Sequence, residues 1–217
     1  MICMDSKYII CGLIGSILFL IGDVLLGWVD YTPVGKKTFF YISSGHGKGY
    51  KRSKIAVTMI LATLGIPFLY LGMVCCKEII TNNMWKDIIS FFFALTSIAW
   101  FIIHIGVALN VHMYSWIAEN ISEKKAIEAS RETNKIFSIM MIIAYIIVFA
   151  SFALIIFVLA NGWTTLPKHY VVFTPLVGTV LVGIVEKILP KSKVRKVAGT
   201  IQLNTGLIIW FGSLLFV

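Results

Sequence analysis

Six runs of about twenty apolar residues constrain this chain more than any other feature of its sequence. A helix needs about 20 consecutive apolar residues to cross the hydrocarbon core of a bilayer. The runs show no strand-like alternation of polar and apolar residues. We therefore predict a single all-α domain over residues 1–217, a polytopic membrane helix bundle with six transmembrane helices. The predicted spans are residues 8–29, 54–76, 88–111, 136–160, 170–189 and 197–217.

The overall composition agrees with a chain whose solvent is largely lipid. Hydrophobic residues make up 59% of the sequence and charged residues 13%, whereas soluble domains have about 25% charged residues. This excludes a soluble enzyme, a nucleic-acid-binding domain and a disordered chain. The preference for lysine over arginine and the abundance of isoleucine are typical of an AT-rich bacterium. We expect a multi-pass protein of the bacterial plasma membrane.

The positive charges predict the orientation of the spans. Fifteen of the nineteen lysines and arginines lie in the connections after the first, third and fifth spans. Cytoplasmic loops carry such an excess, so these three connections are predicted to be cytoplasmic and both termini extracytoplasmic. In the third connection, charges at Lys124, Glu128 and Arg131 have helical spacing. Spans three and four are therefore expected to continue as helices beyond the membrane.

The first connection contains a glycine-rich, basic stretch over residues 43–52. Glycine-rich loops can direct backbone N–H groups at phosphate, although the spacing of a Walker A motif is absent. The stretch is interpreted either as a site for phosphate or lipid headgroups, or as lysines that any anionic lipid would attract.

The four cysteines do not form a redox or zinc motif. Their positions are 3, 11, 75 and 76, without a C-x-x-C pair. A disulfide between Cys3 and Cys75 or Cys76 is conceivable, and buried free cysteine is the alternative. The sequence predicts no cofactor and no metal site.

Polar residues inside the apolar runs indicate where a site would lie. Asp23 is in the first span, and an acidic side chain in the middle of a membrane helix costs roughly 2.5–3.5 kcal/mol on insertion scales. His104 is in the third span and Asn204 in the sixth. With the predicted orientation, all three lie roughly 5–7 Å from the centre of their spans toward the cytoplasm. We therefore expect them to share one layer.

Two further residues complete the predicted ligand-binding set. Gln202 precedes Asn204 in the sixth span, and Glu186 lies at the end of the fifth span. Each candidate also has a structural interpretation, such as an interhelical hydrogen bond or ion pair, and Glu186 is expected to pair with Lys187 or Lys191. Small and polar residues at helical spacing in the first span predict that Asp23 faces other helices.

Several short segments, spread over nearly the whole chain, are similar to segments of one protein family. They are Gly22-Asp23 with Leu25-Leu26, Leu69-Tyr70-Leu71-Gly72, His104, Phe173-Thr174-Pro175, and Leu189-Pro190 followed by Asn204-Thr205-Gly206. With these segments the sequence resembles a bacterial family of six-pass integral membrane proteins of unknown function. The resemblance implies the six-span architecture and brings no activity or cofactor with it.

Three functional hypotheses follow. In the first, a polar pocket between helices binds or transports a small or lipid-like molecule, with Asp23 supplying charge or shuttling a proton. In the second, Asp23 and His104 are the catalytic acid–base pair of an intramembrane enzyme that acts on a lipid or isoprenoid-like substrate. In the third, the chain is an accessory or immunity-type protein whose glycine-rich faces bind a protein partner or a second copy. Membrane lipids are expected partners in all three, and nucleic acid in none.

Overall fold

The computed structural model describes residues 5–28 and 51–217, and these residues are almost entirely helical. The glycine-rich stretch over 43–50 and Cys3 lie outside the described residues. Within the described ranges there is no β-strand beyond one isolated bridge between Ile80 and Thr164. Two short 3-10 helices cover Cys76–Ile79 and Lys168–Phe173. The α-helices are α1 (Ser6–Gly27), α2 (Arg52–Cys75), α3 (Asn83–Asn120), α4 (Glu123–Ala160), α5 (Pro175–Ile188), α6 (Lys193–Thr200) and α7 (Gln202–Leu214).

Local sequence signals determine where most of these helices begin. The first turn of a helix has unsatisfied backbone N–H groups, which a preceding Ser, Asp or Asn side chain can accept. Helix α5 instead begins with Pro175, whose missing N–H costs nothing at that position. Four helices begin after a residue whose side chain accepts such a bond, namely Asp5, Asn82, Ser122 and Ser192.

Four helices are long and apolar enough to cross a membrane, namely α1, α2, α3 and α4. Helices α6 and α7 make a fifth candidate if they are counted as one span, and they meet at a bend of 60°. We call this bend, at Ile201, the elbow. Helices α3 and α4 have 38 residues each, or about 57 Å, so they extend beyond the predicted apolar runs as expected.

The last two predicted spans differ from the structure. The prediction of one helix over 170–189 is wrong at its start, because a 3-10 helix precedes Pro175 and α5 has only 14 residues, about 21 Å. The span predicted over 197–217 is not one continuous helix, because the elbow divides it between α6 and α7. Six crossings therefore remain a prediction.

Close helix packing depends on glycine, as the small residues of the first span predicted. Helix α1 packs against α2, α6 and α7, and α5 packs against α6 and α7. Gly15 lies against the backbone of Gly65 and Leu69, and Gly12 lies against Gly72. These four glycines are therefore covered by the chain's own helices.

One end of the bundle is closed by its connections. We call it the sealed end, and it comprises residues 76–85 and 157–167. The Thr81 N–H donates to the Trp163 carbonyl (2.9 Å), and the Thr165 N–H donates to the Ile79 carbonyl (2.8 Å). The Trp85 ring stacks on Trp163 with centroids 5.9 Å apart. Cys11, Cys75 and Cys76 are free thiols, of which Cys76 is buried, as predicted for free cysteine, and the other two are half-buried.

Candidate functional site

Three polar side chains from three helices meet in the half of the bundle opposite the sealed end. Asp23 comes from α1, His104 from α3 and Asn204 from α7. The Asn204 amide Nδ2 donates to Asp23 Oδ2 at 2.6 Å and lies 3.2 Å from His104 Nε2. His104 Nε2 is 3.4 Å from Asp23 Oδ1. The structure thus brings together the three residues that shared one predicted depth.

Trp100, one helical turn before His104 on α3, orients this arrangement. Its indole Nε1–H donates to Asn204 Oδ1 at 2.9 Å. An indole nitrogen is only a donor. The Asn204 side chain must therefore direct its amide oxygen toward Trp100. The amide nitrogen then faces Asp23 and His104. We call Asp23, Trp100, His104 and Asn204 the polar cluster.

The imidazole of His104 has one fixed nitrogen and one that faces the site. Nδ1 is 2.8 Å from the Trp100 carbonyl oxygen, and because a carbonyl only accepts, Nδ1 carries a hydrogen. The Phe19 ring packs on the imidazole with centroids 4.4 Å apart. Nε2 is left to accept from Asn204 when His104 is neutral, or to donate to Asp23 when it is protonated. Asp23 and His104 can therefore hold one proton between them.

The elbow ties α6 to the helix that carries Asp23. The Thr200 hydroxyl lies 3.2 Å from the backbone carbonyl of Asp23 and 2.9 Å from that of Val197. Gly27 provides the space for this approach, because a side chain there would overlap Thr200 and Val197. The bend at Ile201 follows directly, and α7 then brings Asn204 to the cluster on its first turn. Thr200 and Asn204, on either side of the elbow, thus contact the backbone carbonyl and the carboxylate of Asp23.

A cavity of 310 Å³ adjoins the polar cluster. It lies between α1, α3, α4 and the elbow, because α4 packs mainly on α3 whereas α6 packs on α1 and α5. Both polar and apolar side chains form its wall. The lining residues are Asp23, Leu26, Ile103, His104, Val107, Asn110, Phe137, Met141, Tyr145, Gly199, Thr200, Leu203 and Asn204.

Asn110 is the second amide on the cavity wall. Its Nδ2 donates to Asn134 Oδ1 at 2.7 Å. The side chain is 6% exposed, and its Oδ1 is buried without a hydrogen-bond partner in the described part of the chain. Unsatisfied buried polar atoms are uncommon in folded proteins, which marks Asn110 as a residue with spare capacity to accept a hydrogen bond.

Two predicted site residues lie elsewhere. Glu186 forms an ion pair with Arg195, with 3.0 Å between Oε1 and Nε, so the expected pairing with Lys187 or Lys191 is wrong. Gln202 directs its side-chain amide toward Gly183 of α5. Neither residue lines the cavity. The turn between α5 and α6 explains both positions, because it reverses the chain and lays Arg195 beside Glu186.

Sequence reasoning missed most of the cavity wall. Asn110 is also a polar residue in an apolar run, but the predicted ligand-binding set did not include it. Trp100, Tyr145 and Thr200 gave no comparable signal, because tryptophan, tyrosine and threonine are ordinary in membrane helices. In the described ranges, no three His, Cys, Asp or Glu residues come together in a way that could hold a metal ion.

The fold and the site define an all-helical chain with apolar helices compatible with a membrane protein and a buried polar cluster beside a cavity. The chain belongs to a family of unknown function, DUF6796, whose profile matches residues 4–217. No curated protein and no solved structure shows significant similarity to it.

Proposed function

We propose that this chain is an integral membrane protein whose cavity binds or transports a small or lipid-like molecule at Asp23, His104 and Asn204. We place it in the bacterial plasma membrane, with six crossings and extracytoplasmic termini. Under that topology α5 crosses as a short helix and the elbow interrupts the last crossing. The cavity then faces the cytoplasmic half of the bilayer.

The observation that carries the proposal is the contact between the polar cluster and the cavity. Hydrogen bonds that only joined helices would need no space beside them, and protein interiors normally leave few voids. Here an aspartate, an imidazole and an amide at hydrogen-bond distance stand on the wall of a 310 Å³ cavity. Ligand pockets begin at about 300 Å³ and combine an apolar lining with a few convergent polar groups.

The elbow favours transport among the binding functions. Many transporters place their sites at discontinuous membrane helices, where half-helix ends face the ligand. The 60° bend at Ile201 lies between the two cavity-lining pairs of α6 and α7. Gly199 and Thr200 precede the bend, and Leu203 and Asn204 follow it. A movement at this bend would change the cavity directly.

An intramembrane enzyme is the second candidate, and one distance favours it. His104 Nε2 is 3.4 Å from Asp23 Oδ1, while the opposite ring nitrogen is held by the Trp100 carbonyl. An oriented imidazole beside a carboxylate is a suitable general acid–base pair. Such an enzyme would also need the cavity to bind its substrate. Access to the cavity is therefore tested before any catalytic activity.

Substituted-cysteine labelling tests the cavity. In a background with the four native cysteines replaced by serine, Leu203→Cys places a thiol on the cavity wall. Ile146→Cys is the matched control, because Ile146 is 62% exposed on the outer face of α4, where lipid would cover it. We expect a charged, membrane-impermeant methanethiosulfonate reagent to label Leu203→Cys and not Ile146→Cys, and to do so from the cytoplasmic side of sealed vesicles. Absence of labelling at Leu203→Cys from both sides would overturn the proposed function.

A further inference from the structure

Resting on the proposed function, we infer that the ligand of this cavity is a small organic cation with N–H donors, a protonated primary or secondary amine on an apolar chain. The inference concerns the chemical class of the ligand. It follows from three features of the cavity wall: its charges, its unused hydrogen-bonding capacity and its apolar surface.

The ionisable groups of the wall favour a cation. Among the lining residues, the titratable ones are Asp23 from α1, His104 from α3 and Tyr145 from α4, and neither lysine nor arginine takes part. The ionic partner of Asp23 within the described residues is His104, at 3.4 Å. When His104 is neutral, the carboxylate has a hydrogen bond from Asn204 but no countercharge among the residues that the structure describes. A bound ammonium group would supply that charge, whereas a bound anion would face the carboxylate.

The hydrogen bonds of the wall favour a donor. The side-chain N–H groups in the cluster are already used, because Asn204 Nδ2 donates to Asp23 and Trp100 Nε1 donates to Asn204. Asn110 Nδ2 is likewise taken by Asn134. The unused capacity on the wall is for accepting, at Asp23 Oδ1, which Asn204 does not contact.

The rest of the wall favours a short hydrocarbon chain. The apolar part of the wall consists of the side chains of Leu26, Ile103, Val107, Phe137, Met141 and Leu203. An aromatic ring such as that of Phe137 also tolerates a nearby cation, because its face carries negative charge. At 310 Å³ the cavity has room for a small amphiphile.

Thermal unfolding of the full-length protein in a non-ionic detergent tests this class. The probes are n-hexylammonium, hexyltrimethylammonium, hexanol and hexanoate at equal concentrations. We expect n-hexylammonium to raise the Tm by about 5 °C near saturation. Hexyltrimethylammonium, which has the charge but no N–H, should raise it less, and hexanol and hexanoate should leave it unchanged.

Two variants assign the effect to the cavity. Asp23→Asn should lose the shift caused by n-hexylammonium. Asp87→Asn is the matched control, because it removes an exposed carboxylate at the start of α3, close to the sealed end, and should keep the shift. A shift that survives in Asp23→Asn, or that hexanoate or hexanol produces equally, would overturn the inference.

A second measurement retains Asp23 and separates the two proposals. In Leu203→Cys, n-hexylammonium should slow labelling at least threefold, and hexanoate should not. If hexanol or hexanoate protects the thiol and n-hexylammonium does not, the ligand class is wrong and the proposed binding function stands. If the thiol is never labelled, the proposed function itself fails.

Discussion

Polar groups are arranged differently at the two ends of this bundle. At the sealed end, polar groups of the connections pair with each other, as in the bond from the Thr165 N–H to the Ile79 carbonyl, and aromatic rings fill the space between them. At the cavity end, polar side chains converge from separate helices and space remains beside them. Polar groups are therefore paired within the connections at one end and lie on the wall of a cavity at the other.

Packing explains this difference. Toward the sealed end, glycines let α1 and α2 approach until their backbones touch, and α7 closes on them through Phe211. At the other end, α4 follows α3 into their long hairpin while the elbow turns α6 toward α1 and α5. The helices separate there, and the polar cluster lies where they part. We expect the first region to determine stability and the second to determine binding.

The largest effect should come from Gly15→Ala in the glycine contact. A Cβ at this position would lie 2.5 Å from the Leu69 backbone nitrogen and 2.9 Å from the Gly65 carbonyl oxygen. Backbone atoms cannot rotate away, so we expect the free energy of unfolding to fall by about 3 kcal/mol, the upper part of the range for overpacking. Thermal unfolding in detergent measures the change.

Gly212→Ala is the matched control for that substitution. A Cβ at position 212 would have no atom within 4 Å, and the same change of residue should leave the Tm unaltered or raise it slightly. Equal Tm values for the two variants would contradict the close contact of α1 and α2.

The next largest effect should come from Asn204→Ala at the cavity end. The substitution removes the acceptor of the Trp100 indole and the donor to Asp23 Oδ2. Leaving buried polar groups without partners costs about 2 kcal/mol. Thr205→Ala on the same turn is the control, because the buried Thr205 hydroxyl has no partner within the described residues. A loss of stability in Thr205→Ala as large as that in Asn204→Ala would show that the amide contributes nothing specific.

The sequence predicted the helices and the proximity of the three polar residues, because both depend on simple lengths. Apolar runs of bilayer length predicted α1 to α4, and a rise of 1.5 Å per residue predicted that Asp23, His104 and Asn204 lie at one level. Depth alone does not say whether side chains face each other. In α1 the small residues around Gly12 supplied that information, and the structure shows them buried against other helices.

The sequence did not predict the elbow or the partner of Glu186, because both depend on a reversal of the chain. Pro190 signals that a helix ends, but not that α6 will turn back and place Arg195 beside α5. The contributions of Trp100 and Tyr145 were missed for another reason. Their positions depend on how α3 and α4 rotate about their axes, and a uniformly apolar helix gives little indication of its rotation.

A smaller change in stability is expected from Asp23→Asn. This variant tests whether the polar cluster serves binding and the glycine contact of α1 and α2 serves stability. The amide keeps an oxygen that can accept from Asn204, and the substitution removes a buried charge whose desolvation is costly. We expect the free energy of unfolding to change by less than about 1 kcal/mol, with helix content unchanged in circular dichroism. A loss larger than that of Gly15→Ala would show that the cluster is primarily structural.

The smallest effect should come from Glu186→Gln beside the elbow. The Glu186–Arg195 pair is about a quarter exposed on each side, and such pairs contribute at most about 1 kcal/mol. We expect a loss of about 0.5 kcal/mol, similar to that of Glu128→Gln in the exposed pair of the α3–α4 hairpin. The two variants should differ at the cavity, because the Glu186–Arg195 pair joins α5 to α6, whereas the Glu128–Lys125 pair lies within α4. Labelling of Leu203→Cys should be faster with Glu186→Gln than with Glu128→Gln, and equal rates would show that the elbow does not control access.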